Sequence, residues 1–418
     1  MTSQDRARSA RPDPRALLNR PFVTFLILFS LGGAGWMPTL SFLSVFIRDE
    51  LGGTVLSAAL VFLAIHGVTS TLGLTSGLWI SRFGSKSTYA LGLGGITLLL
   101  AALAWAPDFR LVLAVGPITG LFIAYHWTGL QSYIIESSPQ SLRGLASGIA
   151  SFAMVLAPGV AGPLFGSLAA SSGYRALGVA ATALVGSACV LAVVLLPNLH
   201  RRGYAARQTG LRLRAYAGLF RYGAVNWMLF VRAATSMSFG IFMLLAGPKL
   251  VDSGGGLQAV GLFVGFGAIG GGAAQIVVGR LSDAIGRRVL LAGSLVLGAL
   301  SAVLFGLTDN LALLMLASSI QWFAQSAFQT LLVAVGGDIS PRGEMGRVMA
   351  LQTSSFSWGL VVGMLVAGFL HPVSAALPFH VTAAVLIAAI VGSFKLPEQI
   401  TTPSRLGAKD QPDPVAAS

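Results

Sequence analysis

Apolar residues run along this chain in long stretches, and charged residues are confined to the short segments between them. Each stretch holds the ~20 apolar residues that a helix needs to cross a bilayer core. The pattern predicts twelve such helices. The first six run Phe22–Ile47, Val55–Ile80, Thr88–Ala106, Leu111–Ile135, Leu145–Ala170 and Ala176–Leu196. The second six run Val225–Pro248, Leu257–Gly279, Val289–Leu307, Leu311–Gly336, Val348–Leu370 and Leu377–Phe394. Several loops between them are very short, so neighbouring helices are antiparallel hairpins.

The pattern repeats. Gly279-Arg-Leu-Ser-Asp283-Ala-Ile-Gly286-Arg287-Arg288 follows the eighth apolar stretch, and a degraded copy, Gly77-Leu-Trp-Ile-Ser81-Arg82-Phe-Gly84-Ser85-Lys86, follows the second. The offset, 279 − 77, is 202 residues. Glu136-Ser-Ser-Pro139 and Asp338-Ile-Ser-Pro341 keep the same offset, 338 − 136. Two unrelated motifs at one spacing mean two copies of one unit. The expected fold is therefore an all-α membrane protein, with twelve transmembrane helices in two pseudo-symmetric six-helix bundles. Most duplicated polytopic proteins are transporters, because a site between two halves can open to either side in turn.

Composition and charge sharpen this picture. Of 418 residues, 55% are hydrophobic and 10% charged, against about 25% charged in soluble domains; mean hydropathy is +0.79. The formal net charge of +13 could suggest nucleic acid, but membrane spans interrupt the basic stretches, so no continuous nucleic-acid face exists. With both termini placed in the cytoplasm, the outer loops hold only Arg48, Arg110, Arg175 and Lys249 of the 27 basic residues. That bias predicts cytoplasmic termini. The basic segments also suit anionic lipid headgroups. The boundaries that follow are a cytoplasmic tail (1–21), a first bundle (22–196), a basic cytoplasmic loop (197–224), a second bundle (225–396) and a polar, disordered tail (397–418). The first apolar run is too long for a signal-peptide core and reads as an uncleaved helix. The one cysteine, Cys189, permits neither an internal disulfide nor a CxxC metal site.

Twelve spans, a basic central loop and G-x-x-x-D-x-x-G-R-R between spans eight and nine resemble the major facilitator superfamily over nearly the whole chain. Span five adds Ala157-Pro158-Gly159-Val-Ala-Gly162-Pro163-Leu-Phe-Gly166, which resembles the antiporter motif of drug–proton exchangers in that superfamily. The physics of the loop motif stands beside the resemblance. Gly279 and Gly286, like Gly77 and Gly84, permit tight turns and close helix approach. Asp283 can accept from another helix's positive N-terminal end. Arg287 and Arg288 favour the inside face. The resemblance implies that Asp283 latches the two halves on the cytoplasmic side, facing the start of span five near Arg143. Ser81 stands where the family has aspartate, so the first copy, facing Arg347, is the weaker latch. A plain positive-inside anchor is the simpler alternative for both loops.

Ionisable residues inside spans are costly and therefore point to function. His66, His126, Arg232 and His380 are such residues. His66 and His126 lie near the middle of their spans and can titrate near neutral pH, which suits proton coupling; a neutral imidazole bonded between helices is the alternative. His380 reads as structural. Arg232 can snorkel to the interface or bind an anionic group of a substrate. No carboxylate lies mid-span, and Gly116 stands where the family often has arginine; both depart from the antiporter pattern. Gln321, Gln325 and Gln329, four apart, form one face of span ten. With Met37, Tyr125, Trp358 and Arg232 they are the expected cavity residues, although amide bonding between helices would also explain the stripe.

No lysine-bearing phosphate loop, hydrolase nucleophile or His-rich metal box is present. The chain therefore reads as no enzyme, with no cofactor and no metal. The reading is a secondary transporter of the bacterial inner membrane, functional as a monomer. It moves a small organic molecule by alternating access, by proton-coupled efflux. An uptake carrier for a sugar or organic acid, and a non-transporting scaffold on the same fold, are the alternatives.

Overall fold

In the computed structural model, residues 13–72, 76–139, 142–199, 216–341 and 344–396 are described, with the side chains at 77, 78, 81, 144, 279, 280, 283, 284 and 346 outside the description. The described residues form helices and connections, with no strand among them. Among the described residues, ten helices are long and apolar enough to cross a membrane. Two of them, Leu145–Leu195 and Gly223–Val278, have 51 and 56 residues, enough for two crossings each. The first is broken at Gly173, where φ is 81°. The second is broken by the turn Val251–Gly255, with Gly254 at φ 83°. Each break makes a hairpin, and the ten helices supply twelve crossings.

The breaks show why the motif glycines matter. Helix Ser76–Trp105 contains Gly84 at φ 82°, and Gly286 caps helix Gly256–Ile285 at φ 89°. Positive φ is strained for any residue with a Cβ. The two glycines sit 202 residues apart and turn the chain identically between spans two and three and spans eight and nine. Two further equivalences appear only in three dimensions. Asp108 caps helix Phe109–Ser137 by accepting from Arg110 N and Leu111 N; Asn310, again 202 residues on, caps helix Leu311–Ile339 through Ala312 N and Leu313 N. Ser85 Oγ donates to Glu136 at 2.5 Å, and the equivalent Arg287 pairs with Asp338. The two motifs that reveal the duplication thus touch each other, once in each half.

Span one, within Arg20–Asp49, starts at Asn19, whose side chain accepts from Phe22 N at 2.9 Å and donates to Ser137 O at 3.0 Å. Its glycine face seats spans three and six: a Cβ on Gly32 would lie 3.2 Å from Leu93, and one on Gly35 2.7 Å from Val185. In the second half, Gly240 of helix Gly223–Leu250 meets the carbonyl of Leu360, and Gly363 of helix Met345–Leu370 meets that of Met237. Small residues let these helices touch through backbone, the packing mode hydrocarbon favours.

Among the described residues, contacts between the halves run from the middle of the helices to the face opposite the ends of the described chain, here the far face. Span five packs on span eight, where a Cβ on Gly166 would lie 2.9 Å from Gly261 Cα. Span eleven packs on span two, where one on Gly368 would lie 3.0 Å from Ala59 Cβ. These contacts are symmetry mates, since Gly368 is 202 residues beyond Gly166 and Gly261 is 202 beyond Ala59. Span one meets span seven, with Gly247 against Ser41 and Val45. Across this seam Arg48 Nη1 donates to Asp252 at 2.9 Å. A cavity of about 460 Å³ opens beside it, lined by Lys249, Asp252, Asp309 and His371 among others. Lys249 hydrogen-bonds Asp309 and holds that carboxyl below its ordinary value; burial lowers His371.

Candidate functional site

The polar groups predicted for the interior gather in two places. The larger gathering is in the second half, where spans seven, ten and eleven converge. Arg232 of span seven is 4% exposed. Its Nη2 donates to Gln329 Oε1 of span ten at 2.5 Å, and its Cζ lies 4.4 Å from the centre of the Phe356 ring of span eleven. Two turns up span ten, Gln321 Nε2 donates to Ser238 of span seven at 2.9 Å. The glutamine stripe therefore faces span seven along its length. Gln321 and Gln325 are buried while Gln329 is exposed.

Several polar atoms in this region are buried without a hydrogen-bond partner: Arg232 Nε and Nη1, Gln321 Oε1, Gln325 Oε1 and Gln352 Nε2. Gln352 lies one turn before Phe356 on the same face. A Cβ on Gly336 would sit 3.7 Å from its Oε1 and 3.2 Å from Met228 Sδ, which brings spans seven, ten and eleven together there too. Aromatic rings complete the wall: Phe239 stands edge-on to Trp322 at 5.5 Å and lies 6.4 Å from Phe356.

Trp358 is 44% exposed. It lies two residues from Phe356, about 160° round the helix from it by helical geometry, so Phe356 is the ring on Arg232. Phe356 and Ser238 have no place among the sequence candidates. The available signal was the four-residue spacing from Gln352 to Phe356.

The second gathering is in the first half. His126, 2% exposed, stands among the rings of Trp36 (6.1 Å), Tyr89 (5.2 Å) and Trp127 (5.6 Å). Gly92 abuts its backbone, which seats span four on span three. His66 lies parallel to Phe62 at 6.0 Å. His126 Nδ1 and His66 Nε2 are buried and unpartnered. Tyr125 stacks on Trp79 at 5.7 Å, and Met37 is half-buried.

The loop motif is placed in part. The side chains of Asp283 and Ser81 and the surroundings of Gly77 and Gly279 lie outside the description. Arg143 is half-buried, with its Nε unpartnered. Arg347 donates to both oxygens of Glu344, at 2.7 and 2.6 Å. Arg288 donates to Phe394 O and lies over its ring. Arg287 and Arg288 therefore tie helix ends within their own half. The antiporter-like residues are resolved clearly. Gly162 and Gly166 form the span-five side of the far-face seam, and Pro163 faces Gly265, where a Cβ would lie 3.0 Å from its Cγ.

Among the described residues, no group of acidic, histidine and cysteine side chains could hold a metal. Two duplicated bundles of membrane-crossing helices, each with buried polar groups inside it, are the build of a secondary transporter. The family description Major Facilitator Superfamily matches residues 22–268 and 228–417, and the chain belongs to that superfamily. It is a multi-pass membrane transporter and not an enzyme. It is 26% identical over 180 residues to the Quinolone resistance protein NorA of Staphylococcus aureus, covering 39% of this chain and 45% of that protein. It is 30% identical over 160 residues to the uncharacterized MFS-type transporter YwfA of Bacillus subtilis, covering 38% of each. The matches thus span under half the length of these relatives. The crystal structure of the nucleoside transporter NupG has the same fold, with a TM-score of 0.77 at 13% identity over 90% of this chain and 99% of that one.

Proposed function

We propose that this transporter exports a small amphipathic organic molecule from a bacterial cell, driven by protons, across the inner membrane. The observation that carries this reading is the position of the seam. Among the described residues the halves meet through Gly162, Gly166 and Gly368 toward the far face, which supports entry to the polar groups around Arg232 from the face where the described chain ends lie. The charge bias makes that face cytoplasmic. This is the state in which an exporter loads its cargo. The resistance relative supports the direction, and the rings beside Arg232 support an organic cargo.

The units that rock are 22–196 and 225–396, joined by 197–224, with 1–21 and 397–418 as cytoplasmic tails. The unit of function is one chain, its basic cytoplasmic segments resting on anionic lipids. Proton coupling falls to His66 or His126, whose buried nitrogens have no partner. Proteoliposomes with an imposed pH gradient test export and coupling together, with a fluoroquinolone as first cargo. Replacing the coupling histidine by glutamine should abolish accumulation against the gradient and spare downhill exchange. Full pH-driven accumulation in both His66→Gln and His126→Gln would refute the histidine mechanism. The same assay reads the cytoplasmic latch assigned to Asp283. Asp283→Asn should slow export severalfold with expression intact, and Ser81→Ala should do much less. Equal damage from both would exclude a lopsided latch.

A further inference from the structure

We propose that Arg232 is the binding site for the carboxylate of an aromatic organic anion, and that the cargo supplies the counter-charge this buried guanidinium lacks. The inference deepens the export reading and rests on it for the direction of travel, not for binding.

The argument begins with charge. No Asp or Glu occurs in span seven (Gly223–Leu250) or in span eleven (Met345–Leu370), and span ten has only Asp338 at its end, which pairs with Arg287. The partners of Arg232 are a neutral amide, Gln329, and a ring, Phe356. A ring face attracts a cation but carries no charge. Removing one partner from a buried ion pair is strongly destabilising because an uncompensated charge remains. Arg232 is in that condition here. A snorkelling arginine would put its head in water, whereas this one is 4% exposed.

Donors come next. Arg232 Nε and Nη1 and Gln352 Nε2 are buried and unspent. All three are donors, and they come from two helices that both contact the third. The site is rich in donors and poor in negative charge, the complement of a carboxylate. Charge-assisted bonds are about twice as strong as neutral ones. A neutral solute would fill the donors and leave the charge uncompensated.

The class of cargo follows from the neighbours. Phe356, Phe239 and Trp322 form a continuous aromatic wall beside the guanidinium. A flat aromatic body stacks there while its acid group reaches Arg232.

The test compares matched acids and amides on purified protein in nanodiscs of phosphatidylcholine alone, so that no anionic headgroup competes. The probes are 2-naphthoate against 2-naphthamide and a quinolone acid against its amide, read by tryptophan fluorescence. In the wild type each acid should bind at least about tenfold more tightly than its amide. Arg232→Met should erase that preference, and Arg232→Lys should keep its sign. The wild-type acid–amide comparison stands even if Arg232→Met fails to fold. Equal binding of acid and amide, an acid preference that survives in Arg232→Met, or no binding of either acid would overturn the proposal. Quinolone accumulation in expressing cells separates the two readings. Acid binding at Arg232 without lowered accumulation removes the export reading and leaves the anion site. Export that is indifferent to the acid group does the reverse.

Discussion

Gly162→Val should abolish transport while the protein remains folded in the membrane. The added Cβ would lie 2.7 Å from Val264 Cβ and 2.8 Å from the Gly261 carbonyl oxygen, and the backbone of span eight cannot step aside. On the proposed alternating-access cycle, this overlap exists only while the far face is closed. When the halves part on that side, spans five and eight separate and valine fits. Overpacking costs about 1–3 kcal/mol, which moves the ratio of the two states by roughly five- to 150-fold. The variant should therefore be held open to the far face. Ser44, fully buried beside Gly247, reports this when changed to cysteine in a Cys189→Ala background. An impermeant thiol reagent added outside should label it faster in the valine variant. A cysteine at Ser253 labels from outside in either case and checks the orientation; one at Thr209 should not. Wild-type transport by Gly162→Val would show that the seam does not gate the cycle. Gly368→Ala is the mild counterpart, because its nearest neighbours are side chains at 3.0 and 3.1 Å.

Gly240→Val should instead destabilise the fold. A Cβ there runs into the carbonyl of Leu360, and the reciprocal contact of Gly363 with Met237 locks the same two helices. Spans seven and eleven belong to one half, so the contact persists whichever face is open. The overlap then disfavours every folded state by about 3 kcal/mol, out of a total stability of about 5–15 kcal/mol. The expected result is a large loss of monodisperse protein in detergent and a lower thermal midpoint. Normal yield and midpoint would mean that the two helices separate readily. The same substitution thus gives a folded but locked protein across the seam, and a destabilised one within a half.

The twelve crossings are legible in the sequence because hydrocarbon imposes a simple rule: about twenty apolar residues, then a turn. The duplication is legible because the motifs around Gly84 and Gly286 must bend the chain at positive φ, and such positions keep their glycine. The caps Asp108 and Asn310 share the offset but differ in residue type, so the repeat hides them until geometry shows equal roles. Arg232 stands out as a charge within a span, and the glutamine face follows from helical period. Their partners do not. Phe356 rather than Trp358 meets the guanidinium because of how span eleven is rotated against span seven. That rotation is set by Gly359 and Gly363 seated on span seven, a tertiary fact with no local signature. Likewise, nothing in Gly162 or Gly166 names Gly261 as neighbour. Small-residue spacing marks a contact face without its partner.

Because each half crosses the membrane an even number of times, Arg20, Leu195, Gly223 and Phe394 all fall on one face. The crossing number then does not require that the first half be synthesised first. A gene rearranged to encode the second half first, joined through a new linker on that face, would keep the Gly166–Gly261 and Gly368–Ala59 contacts unchanged. The two halves would simply have exchanged names.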